Sequence, residues 1–125
     1  MQGYLVVFLG AGLGGALRHG VNAATLALFG PGFPLGTLLV NVVGSFAMGL
    51  LAGWFGMGTD QGVAWRLFFA TGVLGGFTTF SAFSLDAALL FERGHHWMAA
   101  GYVALSVALS IAALFAGLIM LRQLA

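Results

Sequence analysis

Four long apolar stretches alternate with short runs of glycine, proline and charge along the chain. They run from about Tyr4 to Phe29, Leu35 to Phe55, Leu67 to Phe91 and Trp97 to Leu121. A hydrocarbon core about 30 Å thick needs roughly 20 apolar residues per helix, so each stretch is long enough to span a bilayer. The GPGFP segment, Gly30 to Pro34, cannot continue a helix and punctuates the first two spans. A short loop from Gly56 to Ala64 carries Asp60, and Trp54, Trp65 and Arg66 flank it as expected headgroup-level anchors. Glu92, Arg93, His95 and His96 form the polar turn before the last span.

The polar residues inside the spans are patterned. Thr37, Asn41 and Ser45 lie four residues apart and form one stripe on the second helix. A buried asparagine in lipid demands partners, and its amide offers two donors to an anion or to an acceptor on a neighbouring helix. The stripe is therefore compatible with a conduit or with an interhelical clasp. Tyr102, Ser106 and Ser110 repeat the spacing on the fourth helix. The third span contains TGVLGGFTTFSAFSLD, residues 71–86, which is not the sequence of one smooth helix. Gly75 and Gly76 lower helix propensity, and the hydroxyls of Thr78, Thr79, Ser81 and Ser84 offer the backbone local alternatives, so this stretch predicts a break. Irregular backbone at membrane depth is tolerated only where protein buries it or it lines water. Carbonyls closing the first half-helix suit a cation, and amides opening the second suit an anion. Phe80 and Phe83 follow on one face. A glycine-kinked helix packed tightly on a neighbour is the plainer alternative.

Composition narrows the class. Of 125 residues 61% are hydrophobic, with four basic and three acidic side chains, too little polar surface to cover a soluble globule. An all-α integral membrane protein of four transmembrane helices, the third broken, is expected, with no room for an extramembrane domain. The 21 glycines suit close helix contact, with Gly10 and Gly14, and Gly49 and Gly53, spaced as seams. There is no cysteine, so no disulfide or thiolate metal site is available. The first stretch lacks a basic leader, which predicts a retained span rather than a signal peptide. No basic patch points to nucleic acid.

Arg18 lies well inside the first apolar stretch, where an arginine costs roughly 2.5–3.5 kcal/mol unless it snorkels, pairs or faces water. It is a candidate vestibule residue with Asp86 as its expected partner, or an interfacial anchor if the span stops near residue 18. His19 reads as a bystander, and the His95–His96 pair is not expected to bind metal. Arg66 and Arg122 fall on one side of the four-span topology and Arg93 on the other, with Arg18 assignable to the second, so the positive-inside rule gives almost no orientation preference. A chain inserting both ways round can form an antiparallel, dual-topology dimer. Crossing broken helices would then bring two carbonyls from each copy around one small cation.

Three segments carry a family resemblance: GTLLVNVVGSF in the second span, GGFTTFSAFS in the third and GGALRH in the first. Together they resemble the small CrcB/Fluc fluoride channels over essentially the whole chain. The resemblance implies a dual-topology homodimer in the bacterial inner membrane, with two antiparallel fluoride pores and a structural sodium ion at its centre. It makes Asn41 the pore amide, Phe80 and Phe83 the phenylalanines whose ring edges face the ion, and the Gly75 and Thr78 carbonyls the sodium donors. Tyr102, Ser106 and Ser110 resemble the polar track of the last span, and Arg18 the arginine of the first. Thr37, Ser45, Thr79 and Ser81 complete the expected fluoride pathway. The implied function is passive export of cytoplasmic fluoride, with fluoride, membrane lipid and a second copy as the partners. It is not an enzyme: a hydrolase built on Ser45 and His19 lacks an orienting group and an oxyanion hole. Two rival readings are a small proton-coupled multidrug exporter and a non-conducting assembly subunit. The exporter needs a deep carboxylate, whereas Asp86, the only acid within the spans, lies near an end.

Overall fold

The computed structural model describes residues 2–56 and 62–124; Asp60 and its loop neighbours lie outside them. Among the described residues the chain is helical, and four stretches are long and apolar enough to cross a membrane. Helix α1 is Gln2–Phe29 and α2 is Leu35–Phe55. The third span is composite: α3 (Gly62–Arg66), a π-helical segment (Leu67–Leu74), α4 (Gly75–Phe77) and α5 (Phe80–Glu92). Helix α6, His96–Leu124, closes the bundle. Helix α1 runs unbroken past Arg18.

The third span breaks because its two halves have different neighbours. Residues 67–77 of its leading half pack along α1, while α5 leans on α6 and α2 lies along the length of α6. The helix opens at Thr78 (φ −87°, ψ 159°) and Thr79 (φ −154°, ψ 124°), just after the glycine pair. Gly75 and Gly76 themselves stay helical. Gly76 is needed for approach, since a β-carbon there would strike the backbone of Ala11. The π-helical turns upstream have the wider i→i+5 spacing found at irregular sites within helices.

Glycine seams set the helix distances. A β-carbon on Gly10 would come within 2.6 Å of the Phe68 carbonyl, and one on Gly14 would run into the Val73 carbonyl. Gly49 and Gly53 do the same work between α2 and α6, against Leu114 and Leu121, with Gly117 set against Phe46. Gly14→Ala is expected to destabilise the protein by about 1–3 kcal/mol, because backbone meets backbone and no rotamer relieves the overlap. Thermal unfolding in detergent measures this, and an unchanged midpoint would mean that the seam is slack.

The turn after α5 closes on Gly94 (φ 85°), whose amide donates to the Phe91 carbonyl (3.0 Å) while His95 N–H donates to Leu90 (2.9 Å). This left-handed closure caps the helix. The interior is small: Leu38, Phe83, Leu90, Ala99 and Tyr102 form the buried cluster. Tyr4, Phe8, Trp97 and Phe115 are exposed, the distribution expected where lipid or a second chain covers the surface.

Candidate functional site

At the break, α2 holds the third span through one side chain. Asn41 Oδ1 accepts from Thr79 N–H (2.7 Å) and Asn41 Nδ2 donates to the Thr79 carbonyl (3.0 Å), so the amide pairs with the extended residue as a neighbouring strand would. One amide proton is thereby committed to a cross-helix acceptor, the clasp alternative, and one remains for a guest. One turn further along α2, Gly44 leaves room for the Thr78 methyl group. Thr79 also caps α5, its Oγ1 accepting from Ala82 N–H (3.1 Å), and Thr78 Oγ1 donates to the Leu74 carbonyl (2.8 Å).

This bonding frees backbone carbonyls. In a continuous helix the amide of Thr79 would serve Gly75 and that of Ala82 would serve Thr78. Both amides are bonded to side chains instead. Oxygen donors of that kind fit a hard monovalent cation. The carbonyl between them, Gly76, accepts from Arg18 Nε at 3.0 Å. Arg18 lines neither of the polar cavities described below, and its expected pairing with Asp86 does not occur. Asp86 accepts from the Tyr102 hydroxyl (3.2 Å), and Arg18 finds its partner in a carbonyl that the break exposes.

Beside the break lies a cleft of about 320 Å³, lined by Asn41, Ser45, Thr78, Thr79, Phe80, Phe83, Ser106 and Ser110. Residues from both polar stripes thus meet the broken span. Ser106 Oγ and Ser110 Oγ are buried and have no hydrogen-bond partner among the described residues. The phenylalanine rings lie 5.6 Å apart, but their settings differ: Phe83 is 8% exposed and Phe80 is 78% exposed. Ser81, also exposed, sits 3.4 Å from Thr79 Oγ1 and outside the cleft lining.

Besides Ser81, two further expected pathway residues lie outside this cleft. Tyr102 is fully enclosed, its ring 5.3 Å from Phe83 and 5.5 Å from Phe33. Thr37 lines a second cavity of about 370 Å³, together with Asn22, Thr25, Asp86 and Arg93. Phe83, in the cleft lining, touches the Tyr102 ring, whose hydroxyl reaches Asp86 in the second cavity. Sequence reasoning missed Asn22, Thr25 and Arg93 as cavity residues. The available signal was their spacing: Asn22 with Thr25, and Asp86 with Arg93, fall on shared helix faces.

A family described as "CrcB-like protein, Camphor Resistance (CrcB)" matches residues 5–118. The chain is similar to a protein of Methylobacterium nodulans named "Fluoride-specific ion channel FluC", with 59% identity over 98% of each chain. A protein of Rhodopseudomonas palustris with the same name is 56% identical, covering 97% of this chain and 98% of its own. "Fluoride-specific ion channel FluC 2" of Nitrobacter hamburgensis is 54% identical, over the same shares.

Proposed function

Because the chain belongs to the CrcB-like family, we propose that it forms a fluoride-selective channel through which cytoplasmic fluoride leaves by passive electrodiffusion, lowering its toxicity. It is a multi-pass protein of the bacterial inner membrane, and its named relatives are channels rather than enzymes. The observation that carries the mechanism is the pair of partnerless, buried hydroxyls, Ser106 and Ser110, in the cleft shared with Asn41, Phe80 and Phe83. An unsatisfied buried hydroxyl costs about 1–3 kcal/mol, so two in one cleft argue for a hydrogen-bonding guest.

Fluoride is small and holds water tightly, so a pore must replace its hydration with closely set donors. Serine hydroxyls and the remaining Asn41 amide proton supply them without a fixed charge that would trap the ion. Phenylalanine edges carry the positive part of the ring quadrupole and add weak attraction where water is excluded. In this reading the ion enters the outer cavity past Thr37, is stripped of water beside Phe83 and is handed along Ser106 and Ser110.

One copy gives an incomplete conduit. Phe80, Ser81 and Gly75 are exposed at the break, and lipid does not satisfy irregular backbone. A second copy in the opposite orientation supplies the cover, and the balance of basic residues between the two faces permits it. Gly75 and Thr78 would hold the structural sodium through their carbonyls. When bound, that ion supplies a hard positive centre for oxygen donors from both copies. Exchanging sodium for N-methylglucamine, too large for such a site, is expected to weaken the dimer at least about tenfold, a linkage effect. Energy transfer between labelled copies in detergent measures this, and equal affinity in the two cations removes the sodium site.

The channel reading is tested by fluoride efflux from liposomes containing the purified protein, followed with a fluoride electrode, with chloride run in parallel. Fluoride release no faster than from empty vesicles overturns it.

A further inference from the structure

The outer cavity poses an electrostatic problem for any anion path. Asp86 faces it, and its carboxylate receives only the Tyr102 hydroxyl, which donates a hydrogen bond but no charge. A lone carboxylate in a cleft with low-dielectric walls repels anions before they reach the neutral donors beyond. The basic residue lining the same cavity is Arg93. Asp86 and Arg93 are seven residues apart across the end of α5, two turns along one face, which separates them by about 10 Å along the axis. They do not form an ion pair, and among the described residues Arg93 has none. That separation is close to one screening length at moderate salt, so the field of Arg93 still reaches the cavity. The capped turn at Gly94 holds the backbone of Arg93 in place. Asn22, Thr25 and Thr37 line the same cavity without charge, while Glu92, His95 and His96 flank Arg93 in the chain and, like it, are exposed.

We propose that Arg93 is the admission residue of the pore: its unpaired guanidinium offsets the Asp86 carboxylate across the outer cavity and raises the local concentration of small anions at the mouth. The proposal rests on the channel reading and adds a residue whose role is long-range charge rather than contact in the narrow cleft. Its guanidinium is permanently charged. In an antiparallel dimer each of the two pores carries its own Arg93 mouth, one on either side of the membrane. Substitution at this position therefore affects entry from both sides equally.

The signature is a defect that salt abolishes. Fluoride flux through Arg93→Gln is measured in liposomes at a constant sodium concentration, with ionic strength raised by N-methylglucamine gluconate. At low ionic strength Arg93→Gln is expected to pass fluoride about three- to tenfold more slowly than the unaltered protein, and Arg93→Lys to stay within about twofold. At an ionic strength near 1 M, where screening shortens to about 3 Å, the difference is expected to vanish. The unaltered channel itself is expected to slow as salt is added. An Arg93→Gln defect that is the same at every ionic strength, or that lysine does not rescue, assigns the residue a structural role and overturns the proposal. So does an unaltered channel whose flux ignores salt, a measurement that needs no variant to fold. A protein that passes no fluoride under any condition instead overturns the channel reading on which the proposal stands.

Discussion

Asn41→Asp is expected to lower fluoride flux by at least about a hundredfold, and two effects act in the same direction. The first is charge. A carboxylate about 5 Å from a fluoride ion, at an effective dielectric constant near 20, opposes it by about 3 kcal/mol, which is a factor of about a hundred in occupancy. The second is the clasp. Nδ2 donates to the Thr79 carbonyl at 3.0 Å, and a carboxylate oxygen in its place would face another acceptor. Asn41→Ala separates the two effects: it removes the clasp and adds no charge, so its flux is expected to lie between those of the aspartate variant and the unaltered protein. Equal losses in both variants would attribute the whole effect to the backbone at Thr79. Undiminished flux through Asn41→Asp would take this residue out of the path.

The span boundaries and polar stripes were legible because they are local properties of the chain. The GPGFP segment ends α1 and precedes α2 where the sequence indicates, and Ser45, Ser106 and Ser110 reach one cleft because i, i+4 spacing keeps them on inward faces. The position of the break was legible only to within a few residues. Propensity points to the glycine pair, but Gly76 is engaged with Ala11 on α1, and the chain opens where Asn41, thirty-eight positions away, captures the backbone of Thr79. The π-helical turns at Leu67–Leu74 left no mark in the periodicity.

Arg18 shows why charge scarcity misleads in a membrane protein. With few acids present, Asp86 seemed its natural partner, but a broken helix creates acceptors that a residue count cannot reveal, and Gly76 provides one. Tyr102 teaches the complementary point. It shares a stripe with Ser106 and Ser110, yet ring contacts with Phe33 and Phe83 enclose it, and its hydroxyl turns to Asp86 rather than to the cleft. Periodicity assigns a residue to a face, while packing decides which cavity it meets.

Phe80→Ile is expected to lose fluoride flux by at least about tenfold while leaving the protein folded and dimeric. The two phenylalanines of the cleft are not equivalent tests. Phe83 is buried against the Tyr102 ring, so replacing it repacks the buried cluster as well as removing a ring edge. Phe80 is 78% exposed in the single copy, and isoleucine there remains apolar with a helix propensity close to that of phenylalanine, so the fold should notice little. What isoleucine lacks is the electropositive ring edge, which is worth only a modest amount per contact and matters most where the ion has lost its water. A variant with the dimer affinity and melting temperature of the unaltered protein but little flux would isolate that edge as part of the conduit. Full flux would mean that apolar bulk alone suffices at this position, and would leave the serine hydroxyls and the Asn41 amide as the groups that stabilise the ion.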